Sequence, residues 1–131
     1  MLTLAEANQA IAASVATAQN MKMKIAVSVC DEGGRLVAFQ RMDGVFSESV
    51  PLAIGKAIAA LASRKPSGDK EVVLDLQSVW RVAGAGLPVI RRPGGLPIVR
   101  NAQTVGAIGV AGSATDQEDE QCAKAGGEAL D

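Results

Sequence analysis

"IAVSVCDEGGRLVAFQRMDG", residues 25–44, alternates on both sides of a glycine pair. Ile25, Val27 and Val29 point one way along an extended chain; Ala26, Ser28 and Cys30 point the other, giving a strand with a bulky face and a small face. Gly33 and Gly34 can adopt φ > 0 and turn the chain, and "RLVAFQR" returns, so residues 25–42 read as a β-hairpin. The returning strand ends on Arg41-Met42-Asp43-Gly44. Arg41 and Asp43 fall on the same side of an extended chain, because the side-chain period is two. They can clamp one another, Arg41 can grip a carboxylate, or both can be the solvated end of a hairpin.

Helices flank this hairpin. Upstream, "TLAE" at Thr3 to Glu6 is a capping box, a hydroxyl followed three residues later by a carboxylate. Leu4, Ala7, Ile11, Val15 and Ala18 follow one helical stripe, predicting a helix that ends near Asn20. Downstream, residues 50–62 form a second helix, with Ser49 as N-cap and Pro51 in the first turn. Its only charge is Lys56. A helix apolar almost all round is buried on several sides, against the sheet and then against a neighbouring subunit. "SRKPSGD" is a loop, and residues 70–84 read as a short helix with Val72, Leu76, Val79 and Trp80 on one stripe.

The proline- and glycine-rich residues 86–99 read as loop with short extended pieces. Residues 97–112, "PIVRNAQTVGAIGVAG", read as a second hairpin turning at Asn101-Ala102-Gln103. Gly106, Gly109 and Gly112 break the strand period of two, which signals a bulge or the close approach of a ligand or another backbone. Thr115 to Glu118 opens a last helix with a second capping box. The acidic run "DQEDE" complements that helix's dipole, so it reads as a helix start rather than a metal site. The order α-β-β-α-(α)-β-β-α is that of an α+β fold, an antiparallel sheet with helical cover. At 131 residues the chain fits a single domain, 1–131.

Composition excludes several functions. The formal net charge is −1, without the basic excess of a nucleic-acid binder. Tyrosine and histidine are absent, and the aromatic residues are Phe39, Phe46 and Trp80. A base-stacking platform is therefore hard to build, and Ser–His or Cys–His catalysis is ruled out. Cys30 and Cys122 lack metal spacing or a CxxC and read as buried free thiols. The start lacks a basic n-region and an apolar h-region, and no apolar run reaches the roughly 20 residues of a membrane span. A cytoplasmic protein that contacts neither membrane nor nucleic acid is the expectation.

Lys56 is the sharpest anomaly. A buried ammonium costs several kcal/mol unless it is paired or neutral, so it either reaches a carboxylate or has a lowered pKa. Asp31, Asp43 and Glu48 are the acids nearest in sequence. Such a lysine can be a general base, a Schiff-base nucleophile, an anion anchor, or one half of a structural ion pair. Gly94-Gly95 before Pro97 exposes backbone N–H groups that can hold an oxyanion or carboxylate, or is plain loop. No nucleotide-binding glycine fingerprint is present.

Taken in order, "D-x-G-G-x-L-x-x-x-x-R-M-D-G" at 31–44, "A-x-x-K-A" at 53–57, "G-G-L-P-I" at 94–98 and "V-G-A-I-G-V-A-G" at 105–112 resemble the GlcG/HbpS-like family. That family includes the C-terminal domain of PduO-type proteins, and the resemblance covers almost the whole chain. It implies a profilin-like fold and a homo-oligomer of up to eight subunits. It also implies either haem binding, sensing or degradation, or a place in the catabolism of small metabolites. Arg41, Met42, Asp43, Lys56, Gly94, Gly95 and Pro97 fall on the family's motifs. Some members hold haem through histidine, which this chain lacks; Met42 and Thr104 are the remaining weak ligands for haem.

The residues and the resemblance together lead to a small-molecule site for an organic acid or carbonyl metabolite. Lys56 and Arg41 would hold the anion and Asp43 would orient them. Met42, Gly94, Gly95 and Pro97 would complete the site. If it is catalytic, Lys56 or Asp43 serves as acid/base in a cofactor-independent lyase, isomerase or hydrolase. The alternatives are a haem-binding or haem-sensing module, and a non-catalytic oligomeric accessory protein sensitive at Ile54 and Ile58.

Overall fold

β1 (Ala26–Asp31) and β2 (Leu36–Arg41) pair antiparallel, so the first hairpin forms where the alternation places it. Its turn is built differently from a glycine pair. Only Gly34 takes a positive φ, 80°. The Asp31 carboxylate bends the chain at Gly33 by accepting from the Gly33 and Arg35 N–H groups at 2.9 and 3.0 Å. The register then slips at Val29/Cys30, a bulge that absorbs the extra residue.

This computed structural model describes residues 1–69 and 89–131. The short helix expected over 70–84 lies outside the described residues. Around β1 the described elements are α1 (Leu4–Asn20), α2 (Ser49–Ser63), β3 (Gly95–Arg100), β4 (Gln103–Ala111) and α3 (Asp116–Glu128). The sheet order is β2-β1-β4-β3, every pair antiparallel. This is the expected α+β arrangement. β1 and β4 are central; β2 and β3 are the edges. An edge suits Pro97, which has no N–H to offer a further strand. β3 begins at Gly95, inside the stretch read as loop. Its turn to β4 has two central residues, Asn101 and Ala102, at φ 52° and 63°, and Gln103 already pairs with Arg100. Positive φ at both central positions is the two-residue geometry that suits strand twist.

The two faces of β1 divide the core as their sizes predict. Ile25, Val27 and Val29 join Ile108 and Val110 beneath α1 and α3, with Ile11, Ala10, Cys122 and Ala123. On the other face Cys30 and Ala107 meet Ala57, Ile58, Ala60 and Leu61 of α2. Small residues let α2 lie close. A Cβ at Gly109 would overlap the Ala53 carbonyl and stand 2.6 Å from Ala57 N. The glycines of β4 thus serve the close approach of another backbone.

Two expectations for α2 change. Glu48, already helical at φ −62°, is the N-cap and makes no side-chain capping bond. Ser49 lies inside the first turn, its N–H bonded to Phe46 O at 3.0 Å. The far side of α2, expected to meet a neighbouring subunit, is partly covered by the chain itself. Ile90 N donates to Gly55 O at 3.0 Å, Val89 packs against the same buried cluster as Ile54, and Ile58 is only 1% exposed. Ile58 is therefore a core residue rather than part of an outer face.

The terminal helices follow their caps. Thr3 and Glu6 complete the capping box of α1. Thr115 accepts from Glu118 N at 3.1 Å, and its hydroxyl donates to the Glu118 carboxylate at 2.9 Å. Ser14 Oγ donates to Cys122 O at 2.7 Å and ties α1 to α3. Among the described residues, no helix is long and apolar enough to cross a membrane.

Candidate functional site

Lys56 lies on the sheet-facing side of α2 and is 1% exposed. Its ammonium donates to Asp119 Oδ2 at 3.0 Å and to Val110 O at 3.1 Å, and stands 3.6 Å from Asp116 Oδ1. Among the described residues the carboxylates within ion-pair reach of Lys56 are therefore Asp116 and Asp119, not Asp43. Both sit at the start of α3, three residues apart and so on one helix face. The helix dipole favours them there as well. "DQEDE" is a helix start, and the same residues supply the counter-charge that α2 needs.

Asp119 is itself fixed. Its Oδ1 accepts from Ser113 N at 3.0 Å and from Ser113 Oγ at 2.6 Å. A buried ion pair is tolerable only when its remaining hydrogen-bonding capacity is met, and here it is. Asp116 also bonds Arg92 in bidentate fashion, Nε to Oδ2 at 3.1 Å and Nη2 to Oδ1 at 2.9 Å. These hydrogen bonds, joined by the Lys56 and Arg92 charges, hold the Asp116 carboxyl below the usual carboxylate range against a smaller opposing effect of burial. The same contact raises Arg92. Burial pushes the Cys30 thiol up to about 12 and, with the Asp119 and Glu118 charges, Cys122 up to about 11. Both therefore stay protonated at neutral pH, as buried free thiols should.

Gly94 and Gly95 stand directly against this cluster. Gly94 has φ 135°, and a Cβ there would lie 2.7 Å from Lys56 Cδ and 2.9 Å from Nζ. The glycine thus leaves the volume that the lysine occupies. Gly95 N donates to Ser67 Oγ at 2.8 Å, so that amide is already bonded within the protein. Ser67 Oγ donates in turn to Arg92 O, and Ser67 N to Gly95 O at 2.9 Å. Ser67 thereby pins the turn from which Arg92 reaches Asp116.

An open cavity of about 430 Å³ lies over the cluster, with Lys56, Asp116 and Asp119 on one side, Arg92 at the mouth, and Phe46 and Leu52 as apolar wall. Arg41, Met42 and Asp43 do not line it. Arg41 shares its face, however: Ala26 pairs with both Arg41 and Ala111, and Ala26 and Ala111 pack on Ala53 of α2. Ala111 borders the cavity, so Arg41 is two strands, about 10 Å, away. Among the described residues Arg41 and Asp43 form no ion pair with each other. Met42 packs toward the α1 side, with its sulfur 3.3 Å from Ile25 N. Pro97 is on the edge strand, opposite Ala107.

The fold and the buried cation define a class: a small α+β protein with one antiparallel sheet and a charged cluster where a central helix meets the start of the last. The chain belongs to the family described as "Haem degrading protein HbpS-like", which matches residues 2–128. It is 34% identical over 106 residues to Protein GlcG of Escherichia coli strain K12, covering 79% of this chain and 76% of that protein. The crystal structure of a Streptomyces reticuli HbpS double mutant superposes with a TM-score of 0.84 at 30% identity, over all of this chain and 88% of that one. The PduOC:heme complex shares the fold at a TM-score of 0.80 and 22% identity, over all of this chain and 96% of that one.

Proposed function

We propose that this protein binds, and in a catabolic pathway acts on, a small organic acid or carbonyl metabolite in the cavity over Lys56. The supporting observation is a buried lysine, bonded to Asp119 and to Val110 O, at the floor of an open cavity whose mouth carries an arginine. Lys56 fixes Asp116 and Asp119 there, and Arg41, two strands away on the same sheet face, adds positive charge. A homo-oligomer belongs to this proposal: Leu36 and Val99 lie exposed on the two edge strands, and a monomeric mass in light scattering would remove that part of it.

The test is a thermal-shift screen against acetate, lactate, pyruvate, succinate and small aldehydes, since a ligand that binds only the folded state raises its stability. Lys56→Met alone would strand the buried Asp119 charge and cost about 3–5 kcal/mol. The Lys56→Met/Asp119→Asn pair removes both charges and is the better control. A saturable shift in the wild type that vanishes in the folded double variant is expected. Equal shifts in both would place the ligand elsewhere.

The family description favours a second reading, haem binding. The residues present do not fit a strong axial ligand. Histidine and tyrosine are absent from the chain, both cysteines are buried and protonated, and the Met42 sulfur faces a backbone amide. Thr104 borders a separate cavity of about 620 Å³ and offers only a weak hydroxyl oxygen. Haem titration is expected to give no stoichiometric Soret shift; a sharp one at an integral ratio would establish this reading instead.

A further inference from the structure

Asp116 stands between two cations. Arg92 holds it through two hydrogen bonds at 2.9 and 3.1 Å, and Lys56 lies behind it at 3.6 Å. The two cations are not equivalent. Lys56 is 1% exposed and anchored by Asp119 and Val110 O, so it cannot swing. The Arg92 side chain is 55% exposed and borders the cavity. Its guanidinium presents the planar fork that matches a carboxylate, and Asp116 occupies that fork as an internal carboxylate.

Resting on the cavity reading above, we propose that Arg92 is the residue that recognises the substrate carboxylate, and that it does so by exchanging Asp116 for the incoming acid. Three observations carry this. The Arg92 half of the pair is 55% exposed against 25% for Asp116, so an acid arriving from solvent meets the guanidinium first and can take over its two hydrogen bonds like for like. Asp116 is not stranded when Arg92 leaves, because Lys56 already faces it. Ser67 holds the Arg92 main chain through its carbonyl and through Gly95, so only the side chain need move.

The exchange makes Asp116 a competitor for the ligand's place, and this gives the proposal an unusual sign. Lys56 and Arg92 cancel Asp116 and Asp119, so the cluster is formally neutral. Removing the Asp116 charge leaves it at a formal +1 with Arg92 unoccupied. The ligand class is accordingly a small monocarboxylate, or one end of a short dicarboxylate, with the Phe46 and Leu52 wall against its carbon chain.

The test is calorimetric titration of the full chain with lactate, pyruvate and succinate. Wild type, Asp116→Asn, Asp116→Ser and Arg92→Met are compared, each checked for folding by circular dichroism. Tightening of about threefold to fivefold in both Asp116 variants, the scale of a lost exposed ion pair, with at least tenfold weakening in Arg92→Met, is the expected result. Binding to the wild type that is unchanged or weaker in the Asp116 variants overturns the exchange and leaves the cavity reading standing. No binding to wild type or to either Asp116 variant overturns both.

Discussion

At the residue scale, Lys56 shows what one sequence can and cannot reveal. Its position was legible: an ammonium on a helix that rejects charge must find an acceptor. Its partner was not. Asp119 lies 63 residues further on, where its own surroundings explain it fully as part of an acidic first turn. The nearer acids in sequence, Asp31, Asp43 and Glu48, are elsewhere. Arg92 and Ser67 carried no local signal either, because an exposed arginine and a loop serine acquire meaning only through the Asp116 carboxylate and the Arg92 carbonyl. The Asp116 contact has a consequence for pH. Its carboxyl is held below the value of an unfolded chain. It therefore contributes stability that is complete above the unfolded carboxylate range and lost as pH falls through the folded value. Urea midpoints measured from pH 7 down to pH 3 should fall more steeply for the wild type than for Asp116→Asn. Parallel curves would show that the pair contributes nothing.

At the element scale, the strands were readable because alternation is a local property and β1 keeps it on both faces. Ile25, Val27 and Val29 go under α1 and α3, and Cys30 goes under α2. Turn detail was less readable. Gly33 and Gly34 look alike in sequence, yet Asp31's side chain bends one and only the other needs a positive φ. Ala102 at φ 63° could not be foreseen, since alanine does not favour that region. The glycines of β4 are the reverse case: the break in period pointed to a close approach, and at Gly109 α2 is what approaches, while at Gly106 it is the Cys30 carbonyl of β1. Gly109→Ala should therefore cost about 2–3 kcal/mol, as overpacking against main-chain atoms that cannot rotate away. A urea midpoint within error of the wild type would mean that α2 can shift off the sheet at little cost.

At the scale of the whole molecule, the fold brings the end of β4, the start of α3 and the middle of α2 to one place. The charged cluster forms at that junction. Ser67 and Gly94 come from the connection between α2 and β3, and Ser113 from the one between β4 and α3, and each serves the cluster by pinning Arg92, by leaving room, or by holding Asp119. A lone structural ion pair has no need of an open cavity beside it, nor of an arginine at that cavity's mouth. The account's central claim is that this junction is a binding site for a small acid. The most direct measurement is a crystal structure of the protein grown with the acid that gives the largest thermal shift. The account predicts that acid's carboxylate on Arg92 in the cavity bordered by Phe46, Leu52 and Asp116, with Lys56 still on Asp119. Density for the acid anywhere else, with this cavity holding only water, would contradict it.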